Sequence, residues 1–116
     1  MGCWGYGIFE DDYAADLKAE FEDLCEDGMS PLQATQKMIE SNRYMLDDKD
    51  DDDYPIFYLV MASLQLQHHC LEEAVKREAF FIIDHNIGMD GWLDAGEEDY
   101  AERKREIEKL KERMER

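Results

Sequence analysis

Residues Ile56–Gln67 read IFYLVMASLQLQ, and the fold turns on how that run is interpreted. Eight of the nine residues Ile56–Leu64 are apolar or aromatic, with Ser63 the exception, and no polar face develops before Gln65 and Gln67. Pattern alone admits a buried strand or a buried helix. The length, the start at Pro55 and the tail Leu64-Gln65-Leu66-Gln67 favour a central helix covered on most sides. The remainder of the chain must therefore supply its cover.

On the N-terminal side, Ala14, Leu17, Phe21, Leu24 and Cys25 recur at helical spacing and predict a helix over 12–26. Asp11 or Asp12 can cap it, Glu10 and Asp16 suit the positive end of its dipole, and Gly28 is its stop. Ser30-Pro31-Leu32-Gln33 predicts the next start, with Ser30 as N-cap, Pro31 at the first helical position and Gln33 closing a capping box. That helix is expected to run to about Leu46, with Leu32, Thr35, Met38, Ile39 and Leu46 inward. Residues 47–54 read as an acidic loop kept extended and wet by mutual repulsion. Tyr54, preceding Pro55, is expected to stay out of α conformation.

On the C-terminal side, Leu71, Ala74, Val75, Ala79, Ile82 and Ile83 predict a helix over 71–85, ended by Gly88. Asp90-Gly91-Trp92-Leu93 reads as a short turn closed by Gly96. Residues 97–116 form a charged terminal helix whose narrow stripe is Tyr100, Ile107, Leu110 and Met114. Glu108–Lys111 and Glu112–Arg116 are its favourable pairs. The stripe is expected to dock on its own chain; pairing with a second copy in a homodimer is the alternative.

The 116 residues suit one domain, 1–116. Thr and Val occur only as Thr35, Val60 and Val75, and the sole prolines, Pro31 and Pro55, fall where helices can start. The expected class is all-α, a compact bundle-like array of about five helices. Residues 1–11, with Trp4, Tyr6 and Phe9 among glycines, carry too much apolar area for a free tail and are expected to pack on the core as a shaped segment.

The formal charge is −17. Seven of the 13 basic residues fall in 101–116, so the preceding body is more acidic still. Such a surface repels phosphate and argues against direct nucleic-acid binding. No apolar run approaches the ~20 residues that span a bilayer, so no membrane association is expected. Met1-Gly2-Cys3 resembles an acylation start, but Tyr6 stands where myristoylation wants Ser or Thr. Cys3, Cys25 and Cys70 are odd in number and widely spaced, with no signal peptide ahead of them. A reduced, cytoplasmic protein is the expectation.

Trp4-Gly5-x-Gly7-x-Phe9-x-Asp11-Asp12-x-Ala14-x-Asp16 resembles the opening of a widespread, mostly bacterial family, the domain-of-unknown-function family 4259. Gly28-Met29-Ser30-Pro31 with Ala34-Thr35, Pro55 to Leu59, Leu71, Ile82-Ile83-Asp84 and Trp92 extend the resemblance over nearly the whole chain. It implies a small all-helical fold and brings no activity or catalytic residues with it.

Little in the sequence points to catalytic or metal chemistry. His68-His69-Cys70 sets three potential ligands side by side, but neighbours on a helix point ~100° apart and cannot share one ion. Read as an EF-hand from Asp48, the acidic loop places Asp53 where Gly is needed and Leu59 where Glu is needed. A start at Asp84 fails as well. There is no nucleophile elbow, P-loop or dinucleotide fingerprint. Cys25 or Cys70 with a histidine is the one nucleophile–base option, and the acidic setting does not favour a thiolate. No cofactor and no metal are expected.

The expected function is therefore a non-enzymatic interaction, inhibitor or immunity module steered to a basic protein partner. Its candidate contact residues are Trp4, Tyr6, Asp47, Asp48, Asp50, Asp51, Asp52 and Asp53. One alternative is a nucleic-acid mimic that blocks a basic DNA- or RNA-binding protein, which needs carboxylates spaced like phosphates along one side. A metal-dependent or thiol enzyme is the other.

Overall fold

A computed structural model describes residues 12–48, 53–89 and 96–115. Among them are six helices and no strand: α1 Asp12–Glu26, α2 Pro31–Ser41, α3 Arg43–Leu46, α4 Asp53–Gln67, α5 Glu73–Asp84 and α6 Glu97–Glu115. The segment 1–11 and the turn 90–93 expected from the sequence lie outside the described residues.

The run that decides the fold is helical. Ten residues of α4 are buried, from Tyr54 to Gln65, and the helix packs against all five of the others. α1 covers it with Ala14, Leu17 and Phe21, α2 with Ala34 and Met38, and α5 with Val75, Ala79 and Ile82. α6 closes the remaining side through Ile107, Leu110 and Met114, packing on both α5 and α4. The stripe expected to dock on its own chain does so, with Ile107, Leu110 and Met114 buried and Tyr100 partly buried.

Helix boundaries follow local chemistry. Ser30 Oγ accepts from the Gln33 N–H, and Gln33 Oε1 accepts from the Ser30 N–H, giving the expected capping box. Gly28, at φ +106°, ends α1 with the Met29 N–H bonded to Leu24 O. The same left-handed reversal ends α4 at His69 (φ 57°) and follows α5 at Asn86 (φ 53°), with Gly88 only two residues beyond.

Five expectations are corrected. The helix predicted from Ser30 to Leu46 is two helices, α2 and α3. Asn42 Nδ2 donates to Met38 O at 2.8 Å, and Asn42 adopts φ −111°, ψ 14°, so its side chain competes with the helical ladder and the chain restarts as α3. The acidic loop does not reach residue 54, because α4 begins at Asp53. Tyr54 is helical despite preceding proline: it is 1% exposed and its hydroxyl bonds Glu78, so packing overrides the local bias. Pro55 is tolerated because first-turn N–H groups lack helical partners anyway. Leu32 and Ala74, expected inward, are exposed. Helix α5 spans Glu73–Asp84 and leaves Leu71 and His85 outside it, though Leu71 still packs on the core.

One polar knot lies within the core. Gln65, fully buried, donates through Nε2 to Thr35 Oγ1 and Glu72 Oε1, each at 3.0 Å, and its Oε1 accepts the Glu72 N–H at 2.9 Å. This ties the α4–α5 connection to α2 and satisfies every group it buries.

Candidate functional site

The break at Asn42 creates the most exposed aromatic group among the described residues. It turns α3 so that Met45 and Leu46 point inward while Arg43 and Tyr44 point out. Tyr44 is 82% exposed. Asp47 caps α3, with its N–H on Arg43 O, and Asp48 follows with its N–H on Met45 O. Both acids are exposed, and Asp53 opens α4 just beyond. Of the residues expected to contact a partner, the structure thus gathers Asp47 and Asp48 at one shoulder beside Tyr44, a residue the sequence did not single out. Trp4, Tyr6, Asp50, Asp51 and Asp52 lie outside the described residues.

Beneath this shoulder sit three aromatic rings. Tyr58 meets Tyr54 and Phe57 edge to face, with centroids 5.6 and 5.3 Å apart. The Tyr54 hydroxyl donates to Glu78 Oε2 at 2.6 Å. Burial and that bond to Glu78 push the Tyr54 phenol well above its ordinary range. Burial also raises Tyr58, aided by the charges of Glu78 and Asp47. Both phenols are therefore held in the neutral form.

A second acidic surface runs along α1. Asp16, Glu20, Asp23 and Asp27 are exposed at helical spacing, and among the described residues no ion pair joins them. At 1.5 Å of rise per residue, successive carboxylates are separated axially by ~4.5–6 Å.

The histidine–cysteine corner is arranged differently. His68 meets Phe21 at a tilt of 50° with ring centroids 5.5 Å apart, His69 sits in the left-handed turn, and Cys70 is half-buried. Burial raises the Cys25 thiol, helped by Glu22, and raises the Cys70 thiol, helped by Glu72 and Cys25. Both thiols are pushed away from the thiolate form that a nucleophile requires. Among the described residues no group of three or more His, Cys, Asp or Glu side chains is set to hold a metal ion. Among them, too, no helix is long and apolar enough to cross a membrane.

On α6 the ion pairs depart from expectation. Arg105 reaches Glu102 at 2.6 Å and Lys109 reaches Glu106 at 3.4 Å. Lys111, expected to pair with Glu108, instead crosses to Asp84 of α5 at 2.7 Å. Arg103 is buried within the same helix, which its charge gave no reason to expect.

These features define a small all-α protein with an acidic outer surface wrapped around one apolar helix. The chain belongs to the family described as a domain of unknown function (DUF4259), whose model matches residues 2–110. Comparison with curated proteins and with solved structures gives no match.

Proposed function

We propose that this protein is a non-enzymatic cytoplasmic interaction module, of the inhibitor or immunity type, that takes a basic protein partner on the shoulder formed by Tyr44, Asp47, Asp48 and Asp53. The observation that carries this reading is Tyr44, 82% exposed and bordered by exposed carboxylates. Exposed tyrosine supplies contact area at little entropic cost and a ring face for a guanidinium, and tyrosines recur among binding hot spots. The carboxylates would speed encounter with a basic surface. The raised thiols of Cys25 and Cys70 speak against the thiol-enzyme alternative.

The test is affinity capture at low salt, followed by titration of the purified partner. The expected partner is basic and is lost as salt rises. Its affinity falls at least ~10-fold with Tyr44→Ala or with joint Asp47→Asn and Asp48→Asn. A partner bound unchanged by these variants would refute the assignment.

The α1 surface favours a second reading, a nucleic-acid mimic, because its carboxylates, which join no ion pair among the described residues, follow one helix face at steps approaching those of phosphates. Neutralising Asp16, Glu20, Asp23 and Asp27 separates the two readings. A mimic loses its target with that variant, and duplex DNA competes for the target. A partner held by the shoulder responds to neither.

A further inference from the structure

Between the C-terminal end of α5, the turn that follows it and the facing side of α6 lies a cleft of about 200 Å³. Its apolar lining comes from Ile82, Ile87, Met89 and Ile107. Its polar edge comes from both sides: Lys104, Glu108 and Lys111 on α6, Asp84 and Asn86 opposite. The two lysines are in different electrostatic states. Lys111 is neutralised by Asp84 at 2.7 Å. Lys104 donates to Asn86 Oδ1, a neutral acceptor, and among the described residues no carboxylate lies within ion-pair distance of it. In a chain of net charge −17, an ammonium beside an apolar cleft with no carboxylate partner among the described residues is out of keeping with its surroundings.

Asn86 adds a second donor. Its backbone is fixed in the left-handed region by the reversal after α5, in which the Ile87 N–H bonds Ile82 O at 3.0 Å. With Oδ1 turned to Lys104, its amide Nδ2 group is directed elsewhere, and among the described residues nothing accepts from it. The ammonium and the amide thus offer adjacent N–H donors above an apolar floor.

We propose that this cleft binds a small monocarboxylate with a compact apolar body, the carboxylate taken by Lys104 and Asn86 and the body by Ile82, Ile87, Met89 and Ile107. Lys104 can meet one negative charge, and the field of the whole chain, with Glu108 on the rim itself, disfavours multiply charged anions. The volume limits the ligand to about ten heavy atoms, which in turn sets a dissociation constant in the ~0.1–10 mM range. This proposal is independent of the shoulder described above.

The test is a titration of the uniformly ¹⁵N-labelled chain followed by amide chemical shifts. The probes are 4-methylpentanoate and benzoate, their neutral amides, and inorganic phosphate. Saturable shifts centred on Asn86, Ile87, Met89 and Lys104 are expected with the acids, with binding at least ~10-fold weaker for the amides and for phosphate. Lys104→Met should weaken acid binding by ~10-fold or more, Lys104→Arg should retain most of it, and Lys109→Met should leave it unchanged. The comparison of acid with amide uses the unaltered protein and holds whether or not a variant folds. Equal binding of acid and amide, tighter binding of phosphate, or no saturable shift up to ~20 mM would each overturn the proposal.

Discussion

Tyr54 joins the apolar core to the charged surface through one hydrogen bond, to Glu78. Its replacement by phenylalanine leaves the ring in place and deprives a half-buried carboxylate of its donor. Tyr54→Phe should cost about 1 kcal/mol at neutral pH, read from urea midpoints. The same residue contributes to the alkaline limit. Its phenol is held above the ordinary tyrosine value in the folded chain, first by burial and then by Glu78. Above pH ~10 an unfolded chain releases the phenol proton that the folded chain retains, so the contribution of this group is intact below that pH and is lost as pH rises beyond it. Urea midpoints at about pH 9, 10 and 11 should trace this fall. In Tyr54→Phe the slope should be shallower but not flat, because Tyr58 is raised by its own burial.

At the scale of elements, the turn after α5 is held by how closely it approaches α4. Gly88 has φ +81°, and a Cβ there would lie 2.7 Å from Cγ of Pro55 in the first turn of α4. Gly28 also has positive φ, +106°, but a Cβ would meet nothing within 4 Å. Gly28→Ala should therefore cost only the backbone preference, about 1 kcal/mol. Gly88→Ala should cost ~2–4 kcal/mol, because the proline ring cannot give way. Thermal or urea unfolding of the two variants side by side isolates the steric part. Much of this architecture was legible in the sequence. The capping box at Ser30, the glycine stop at Gly28 and the α1 face repeat with helical period and need no tertiary information. The break at Asn42 was not legible, since an asparagine inside an apolar-periodic run gives no sign of which carbonyl its amide will take. Nor was the helical state of Tyr54, which depends on a partner 24 positions away. The shoulder was half legible: a run of aspartates announces itself, whereas Tyr44 became conspicuous only once Asn42 had turned α3 outward.

For the whole molecule, charge acts against compactness. With 30 acidic and 13 basic residues, folding crowds like charges together. The described ion pairs offer little relief, since Arg77–Glu73, Arg105–Glu102 and Lys109–Glu106 are all exposed. Added salt should therefore stabilise the protein. Raising ionic strength from ~10 to ~300 mM should lift the unfolding midpoint by a few degrees, as the screening length contracts from ~30 Å to below 10 Å. Scanning calorimetry in sodium chloride checks this, and a midpoint that falls with salt would show that specific ion pairs outweigh the general repulsion.

Helix α4 has no face of its own to offer water, and its last cover, α6, is the final helix of the chain order. During synthesis, residues 53–67 leave the ribosome well before residues 97–115 do. Through that interval an apolar helix lacks the side that Ile107, Leu110 and Met114 will close. The nascent chain thus passes through a stage in which its stickiest segment is incompletely sheltered, when it is most exposed to chaperone capture or to self-association. Fast, local formation of α5 and α6 shortens that stage, which gives the highly charged, strongly helix-forming sequence of α6 a purpose in the making of the protein as well as in its finished form.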